Sequence, residues 1–235
     1  MYRYDKKENI SYTLGTTLTF ELLFYKSEQI QKIYINPKQK RDETFYKLEK
    51  EANRLAIPFI TNNSKIFDTL SAKDNVMVIG EFTKFTNSIP KGNHLVLVNP
   101  MNQGNLGTII RSAAAFNIDG IAIILPSCDL FDPKVIRGSM GAIFRVPIQK
   151  FENFENYQKT FKGNSLYPFM LQTNNPLKEA IKKEPYSLIF GNEATGLNPS
   201  FLEIGHPIKI EQSSKVDSLN LDNAVSIGLY SFLTK

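Results

Sequence analysis

Three short polar segments of this chain hold the residue types that chemistry requires. The first, residues 99–113, combines Gly104 and Gly107 with Asn105 and Arg111. Glycines at a strand-to-helix turn let the backbone approach a ligand closely, and the first N–H groups of a helix can bind an anion. Arg111 is flanked by apolar and small residues, so its guanidinium needs a partner or solvent. Taken alone, the glycines are more typical of an ordinary strand-to-helix turn than of a ligand site, and Arg111 is equally typical of a structural ion pair.

The second and third segments lie far downstream. Residues 190–197 follow an apolar run, and Gly191 and Gly196 bracket a polar loop that contains Glu193. The carboxyl end of a parallel strand is the usual place for a ligand. Ser218 and Asn220 precede a predicted helix, where both residue types are good N-caps. Taken alone, these features are a solvated carboxylate and a helix cap.

Together and in this order, the segments resemble the three signature motifs of the SpoU (TrmH-like) RNA ribose 2′-O-methyltransferases of the SPOUT superfamily. The resemblance implies S-adenosylmethionine as cofactor, a ribose 2′-hydroxyl of RNA as acceptor, no metal, and a homodimer whose sites use residues of both subunits. The catalytic residues that it implies are Asn105, Arg111, Glu193, Ser218 and Asn220. The cofactor-binding residues that it implies are Gln172, Thr173, Gly191, Asn192, Glu193, Gly196, Leu197, Ile208, Ile210, Ser218, Leu219 and Asn220.

Two points of chemistry stay open at the level of the sequence. The family proposal makes the arginine a general base, but a free arginine stays protonated at ordinary pH. The alternative is that Arg111 stabilises a developing alkoxide or holds a phosphate. Asp222 stands where the family commonly has serine, so its role is open. The competing function is an RNA-binding protein that keeps the fold without catalysis, which Asp222 favours and the intact motif set opposes.

Composition agrees with an RNA partner without demanding one. A net charge of +5 and a pI near 9.1 suit a polyanion. Cys128 is the only cysteine, which excludes an intramolecular disulfide and a cysteine-based metal site and leads us to expect a reduced, cytoplasmic setting. The N-terminus lacks the apolar core of a signal peptide, and no apolar run approaches the roughly 20 residues that span a membrane.

A polar stretch at residues 83–93, broken by Pro90 and Gly92, is predicted to link a domain at 1–82 to one at 94–235. The first domain alternates helices and strands, which favours a small α/β sandwich. It resembles the L30e-like substrate-binding domain that precedes many SpoU catalytic domains, and this layout favours rRNA over tRNA as target. The predicted RNA contacts are Lys32, Lys38, Arg41, Arg137 and Ser139, with a structural role for the last two equally possible.

Helices and strands can be placed by their periodicity. In the first domain the pattern predicts helices at 17–25 and 44–55 and strands at 30–35, 57–60 and 76–80. In the second it predicts strands at 94–98, 121–125, 145–148, 165–172, 186–190 and 208–210, and helices at 106–116, capped by Asn105, and 220–233. Continuous apolar strands separated by helices indicate a parallel sheet covered on both faces. The resemblance implies a SPOUT domain with a C-terminal trefoil knot, in which loops 191–197 and 211–219 form the cofactor pocket.

Overall fold

The computed structural model describes residues 3–71 and 75–234. The chain forms two compact units, unit 1 (Met1–Phe85 and Asp129–Arg145) and unit 2 (Thr86–Cys128 and Val146–Lys235). The chain leaves unit 1 inside the predicted linker. It also returns to unit 1 between Asp129 and Arg145. The prediction of one linker at residues 83–93 did not include this second passage between the units. Unit 1 has 17 lysines and arginines against 13 acidic residues, so it carries nearly all of the net charge.

Secondary structure alternates between strands and helices, numbered here along the chain. The strands are β1 (Ile10–Leu14), β2 (Ile30–Ile35), β3 (Phe59–Ile60), β4 (Val78–Thr83), β5 (His94–Val98), β6 (Gly120–Ile124), β7 (Ile148–Phe151), β8 (Ser165–Pro168) and β9 (Tyr186–Phe190). The helices are α1 (Thr16–Lys26), α2 (Glu43–Arg54), α3 (Lys65–Leu70), α4 (Gln103–Ala115), α5 (Pro133–Gly138), α6 (Phe154–Thr160) and α7 (Leu221–Leu233).

Unit 1 is built on a sheet of order β1-β4-β2-β3, in which β4 pairs antiparallel with β1 and β2 and β3 lies parallel to β2. Strand β1 lies outside the predicted strands because its buried side chains include hydroxyls. The Ser11 hydroxyl donates to the Phe131 carbonyl at 2.5 Å, and Thr13 and Thr19 share a hydrogen bond of 2.8 Å. Buried hydroxyls are tolerated when they are paired, but they hide the apolar pattern that predicts a strand.

Unit 2 contains a sheet of order β7-β6-β5-β9-β8, in which every neighbouring pair is parallel, as predicted. Val96 and Ile189 lie on one face, in a core cluster with Tyr157 of α6 and the nearby Phe161. Helices α4 and α7 pack against each other, and α7 contacts β9. The parallel order brings the carboxyl ends of the central strands β5 and β9 together, which is where a parallel sheet places its ligands.

Four predicted elements of unit 2 differ in detail. The strand predicted at 145–148 begins only at Ile148, and the one predicted at 165–172 ends at Pro168. Residues 208–210 make isolated bridges to Phe169 and Pro176 instead of a strand. Helix α4 begins at Gln103, because the Asn102 side chain accepts from the Asn105 N–H at 3.0 Å. Asn105 is therefore inside the helix and is not its N-cap, which corrects the prediction.

A buried hydrogen-bond chain joins β5 to α6 and β9. His94 is fully buried, with Nε2 2.8 Å from the Pro90 carbonyl and Nδ1 2.9 Å from the Tyr157 hydroxyl. The Tyr157 hydroxyl oxygen lies 2.6 Å from the Ser187 hydroxyl oxygen. Because a carbonyl only accepts, Nε2 carries the proton of a neutral ring and Nδ1 accepts from Tyr157. Burial lowers the pKa of His94 below 6.5.

Stability should therefore depend on pH through His94. In the unfolded chain His94 gains a proton near pH 6.5, whereas in the folded chain its lowered pKa keeps the ring neutral at that pH. The stabilisation that the neutral His94 contributes is therefore complete above pH 6.5 and is lost as the pH falls below it. We expect urea unfolding to show a free energy of unfolding that decreases between about pH 7 and about pH 5.5. His94→Asn should lower stability at pH 7 and flatten this slope. An identical slope in the variant would assign the dependence to other groups.

Candidate functional site

The loop after β9 closes on itself. The Asn192 N–H donates to the Gly196 carbonyl at 3.2 Å, and the Gly196 N–H returns a bond to Asn192 at 2.9 Å. The Asn192 side-chain oxygen accepts from the N–H groups of Ala194 and Thr195 at 2.9 and 3.2 Å. Gly196 has a φ of +67°, in the region that favours glycine. Residues 191–197 are thus a tight loop whose shape depends on Asn192 and Gly196.

Gly191 lies where the two ends of this loop approach each other closely. A Cβ at this position would lie 2.2 Å from the Gly196 carbonyl carbon and 2.3 Å from the Leu197 nitrogen. Both are backbone atoms of the same closed loop and cannot rotate away. The position therefore accepts only glycine.

Glu193 and Asn192 join this loop to the one that follows β5. The Glu193 carboxylate accepts from the N–H groups of Met101 and Asn102 at 3.1 and 3.0 Å. The Asn192 side chain donates to the Asn99 carbonyl at 2.8 Å. The carboxylate therefore binds the backbone just before α4, where a negative charge is favourable. In this structure Glu193 holds two motifs together.

Replacing Glu193 by glutamine tests this link. Glutamine keeps one acceptor oxygen but loses the charge and the second strong bond, so we expect the free energy of unfolding to fall by about 1–3 kcal/mol. Thermal melting and urea unfolding measure the change. Glu203→Gln, an exposed carboxylate at the end of the short helical turn Pro199–Glu203, is the matched control. Equal stability of both variants would show that the link to Met101 and Asn102 is not strong.

A cleft of about 230 Å³ opens beside this loop. The residues that line it include Phe169 and Phe190, whose rings stack with centroids 4.1 Å apart and planes 16° apart. Gly228 of α7 makes room for them, because a Cβ there would lie 2.8 Å from Phe169 Cζ and 2.9 Å from Phe190 Cζ. The sequence prediction missed both aromatic residues. A glycine inside an otherwise apolar helix was the available signal for a close approach.

The cleft gathers most of the predicted cofactor-binding residues. Those that line it are Gln172, Gly191, Asn192, Glu193, Gly196, Leu197, Ile210, Ser218 and Leu219. Three predicted residues lie elsewhere. Thr173 is buried, with its hydroxyl 3.5 Å from the Pro207 carbonyl, and Ile208 is buried beside Phe169. Asn220 caps α7.

The predicted catalytic residues form two groups. Asn105 and Asn220 meet, with Asn220 Nδ2 donating to Asn105 Oδ1 at 3.4 Å, and Ser218 lies close by along the chain at the cleft wall. Arg111 lies further along α4 and is exposed. Within residues 3–71 and 75–234 it has no hydrogen bond or ion pair. Its guanidinium is therefore available to an external phosphate or oxyanion.

The predicted RNA-contacting residues all lie in unit 1. Lys38, Arg41 and Arg137 are exposed, and Lys32 pairs with Glu81 at 3.3 Å. Ser139 is fully buried, and its hydroxyl donates to the Ile136 carbonyl at 2.8 Å. A side chain in that position is used by the fold itself, so we leave Ser139 out of the RNA contacts proposed below.

Residues 3–71 and 75–234 contain no helix that is both long and apolar enough to cross a bilayer. Nor do they bring three or more histidine, cysteine or carboxylate side chains together in a group suited to a metal ion.

Comparison with known proteins identifies related chains. An uncharacterized tRNA/rRNA methyltransferase of Synechocystis is 36% identical over 139 residues, which cover 58% of this chain and 51% of the relative. The 23S rRNA (guanosine(2553)-2′-O)-methyltransferase RlmP of Bacillus subtilis is 32% identical over 130 residues, covering 54% and 52%. This chain thus spans about half the length of these relatives.

Solved structures extend the likeness to both units. The AdoMet-bound rRNA methyltransferase from Sinorhizobium meliloti superimposes with a TM-score of 0.80 at 25% identity, covering 95% of this chain and 87% of that one. The family model described as "SpoU rRNA Methylase family" matches residues 92–230, which include the cleft, α4 and nearly all of α7. The chain therefore belongs to the SpoU rRNA methylase family.

Proposed function

We propose that this protein is an S-adenosylmethionine-dependent methyltransferase that modifies a ribose 2′-hydroxyl in RNA, with rRNA as the target. The observation that carries the proposal is the cleft at the ends of β8 and β9, built from residues 169–172, the loop 191–197 and the residues before α7. The Asn105–Asn220 contact joins α4, which also carries the exposed Arg111, to the N-cap of α7. The RlmP relative, named as a 2′-O-methyltransferase of 23S rRNA, supports the type of reaction.

The residues of the cleft fit S-adenosylmethionine. Among the described residues that line it, Glu193 alone is charged, so the cleft holds no cation that would repel a sulfonium. Phe169, Phe190, Leu197 and Ile210 offer apolar surface suited to an adenine ring. The backbone of 191–197 and the side chains of Gln172 and Ser218 offer hydrogen bonds suited to ribose hydroxyls and the amino acid part.

The reaction places one demand on the protein beyond holding the two reactants. When bound, S-adenosylmethionine would supply an electrophilic methyl group, with the sulfonium sulfur as the leaving group that keeps the electron pair of the broken carbon–sulfur bond. The ribose oxygen would lose its proton, and negative charge would develop on it. Arg111, protonated and with several free N–H donors, stabilises this charge or holds the adjacent phosphate, while the proton leaves to solvent. Asn105 and Asn220 support the ribose, and Glu193 keeps the two loops in register.

A homodimer is part of the proposal. Helix α7 buries Val225, Leu229 and Phe232 in the core but also exposes Ile227, Tyr230 and Leu233, which are 40%, 58% and 55% accessible. An exposed apolar face of this kind is typical of an interface between subunits. Sedimentation of the wild-type chain and of Tyr230→Glu tests it, because a buried carboxylate would dissociate the dimer.

Two finer structural features belong to the same proposal. The bridges of Phe169 to Ile208 and of Pro176 to Lys209 support a C-terminal trefoil knot, because they place residues 207–210 against the segment that follows β8. The α/β sheet of unit 1 and its positive charge support an L30e-like domain that captures RNA through Lys32, Lys38, Arg41 and Arg137. Binding through such contacts would weaken as the salt concentration rises.

The proposal is tested by giving the full-length protein labelled S-adenosylmethionine with ribosomal RNA or with transfer RNA. Label in ribosomal RNA, at a nucleotide resistant to alkaline cleavage, is the expected result. Label in transfer RNA would instead identify tRNA as the substrate. The Synechocystis relative, which is named as a tRNA/rRNA methyltransferase, is compatible with either result. RNA binding without cofactor binding by calorimetry would identify a non-catalytic RNA-binding protein and overturn the proposal.

A further inference from the structure

The solvent-facing side of α1 in unit 1 is aromatic, where a surface helix is ordinarily polar. Phe24 is 64% exposed, Tyr25 is 48% exposed, and Phe20 is half-buried beside them. The opposite side of α1 already supplies the core with its buried leucines, so the fold does not need these rings inside. We propose that this α1 aromatic face, formed by Phe20, Phe24 and Tyr25, binds unpaired nucleotides of RNA by stacking their bases.

The geometry of the rings suits flat ligands. Phe20 and Phe24 are one helical turn apart, with centroids separated by 6.2 Å and planes inclined by 22°. Two nearly parallel rings side by side form a platform that successive bases can use. Stacking on aromatic side chains tolerates any base sequence, because every base has a flat face. A base in a duplex is already stacked on its neighbours, so the surface should select single strands or loops.

Cations from other parts of unit 1 flank the rings. Lys47 of α2 places Nζ 5.9 Å from the centre of the Phe20 ring, and Arg145 places Cζ 5.3 Å from that of Tyr25. Arg145 also pairs through Nε with Glu21 at 3.1 Å, which neutralises the carboxylate on the same side of α1. A guanidinium has five N–H donors, so the remaining ones can bind a phosphate. The rings can stack on the bases of a single-stranded RNA while the flanking cations bind the phosphates between those bases.

The same features favour RNA over a protein partner. The exposed apolar residues of this face are aromatic, while its aliphatic neighbours Leu18, Leu22 and Leu23 are buried. Unit 1 carries nearly all of the net positive charge of the chain. This inference rests on the proposed function for the identity of the polymer, and it adds a stacking surface to the phosphate contacts assigned to Lys32, Lys38 and Arg41.

A fluorescence experiment tests stacking directly. The chain has no tryptophan, so Phe24→Trp gives the full-length protein a single indole at the centre of the face. We expect titration with a short single-stranded oligoadenylate to quench its emission to saturation, and a blunt-ended RNA duplex without a loop to quench it little. Ile181→Trp places an indole at a position of unit 2 that is 75% exposed and should not respond. Equal quenching at both positions, or none at Phe24→Trp, would overturn the proposal.

A second pair of variants separates ring stacking from apolar contact. Replacing Phe24 and Tyr25 together by leucine keeps an apolar surface but removes the rings, and it should weaken oligoadenylate binding about tenfold or more. The exchange Phe24→Tyr with Tyr25→Phe keeps both rings and should bind normally. Unchanged affinity of the leucine variant sinks the proposal. If the leucine variant keeps its affinity for oligoadenylate but sediments differently from the wild type, the aromatic face is a protein interface and the proposal fails.

Calorimetry with S-adenosylmethionine distinguishes this inference from the proposed function. Both ring variants should bind the cofactor as the wild type does, because their changes lie in unit 1. If the emission of the Phe24→Trp protein is quenched but the wild type does not bind the cofactor, the methyltransferase proposal fails and the stacking surface stands. If the wild type binds the cofactor and methylates RNA while the Phe24→Trp protein stays unquenched, only the stacking surface fails.

Discussion

Gly191→Ala is expected to abolish binding of S-adenosylmethionine. The added methyl group would lie 2.2–2.4 Å from backbone atoms of Gly196 and Leu197, far inside contact distance. Because these atoms belong to the closed loop 191–197, relief requires breaking the Asn192–Gly196 hydrogen bonds. The loop that lines the cleft would then lose its shape and its link to Met101 and Asn102. Isothermal calorimetry should detect no binding at concentrations that saturate the wild type.

Two other glycines make this prediction specific. Gly163 has no atom within 4 Å of an added Cβ and lies outside the cleft, so Gly163→Ala should bind normally. Gly196→Ala meets open space as well, but its φ of +67° strains an alanine by about 1–2 kcal/mol. We therefore expect weaker binding by Gly196→Ala, between the other two. Normal binding by Gly191→Ala would place the cofactor site away from this loop.

Arg111→Ala is expected to lose methyl transfer while it keeps the fold and the cofactor. The side chain is exposed and has no hydrogen bond or ion pair within the part of the chain that the structure describes, so its removal should change stability by less than about 0.5 kcal/mol. Loss of a donor that stabilises charge only in the transition state costs a factor of about 10²–10³ in rate. Single-turnover transfer to RNA measures this loss, and calorimetry measures cofactor affinity.

The Lys variant and a distant arginine serve as controls. Arg111→Lys keeps the charge but not the planar set of donors, so it should recover little activity. Arg54→Ala removes an exposed arginine of α2 that pairs with Glu51 at 2.8 Å, and it should leave turnover unchanged. Near-normal turnover by Arg111→Lys would assign Arg111 a role that needs only a positive charge. Loss of cofactor affinity in Arg111→Ala would make it a structural residue of the cleft.

Much of the local structure was determined by the sequence alone. The apolar runs of β5, β6 and β9 predicted a parallel sheet, because strands that are buried on both faces are continuously apolar and do not alternate between apolar and polar residues. The stripe of Phe45, Leu48 and Ala52 predicted α2, and Asn220 was correctly expected before α7. The three motifs identified the family before any geometry was known. These signals are local, since periodicity and short motifs are written within a few turns of chain.

Only the tertiary structure decided which distant groups meet. Glu193 accepts from the backbone of Met101 and Asn102, and Gly228 admits the stacked Phe169 and Phe190, though nothing near these residues in the chain indicates their partners. No local pattern indicates that residues 129–145 return to unit 1, and the sequence left an RNA contact and a structural role equally possible for Ser139, which is buried. Such contacts depend on which segments the folded sheet brings together. The order of residues along the chain does not show how far apart two segments lie in the folded protein.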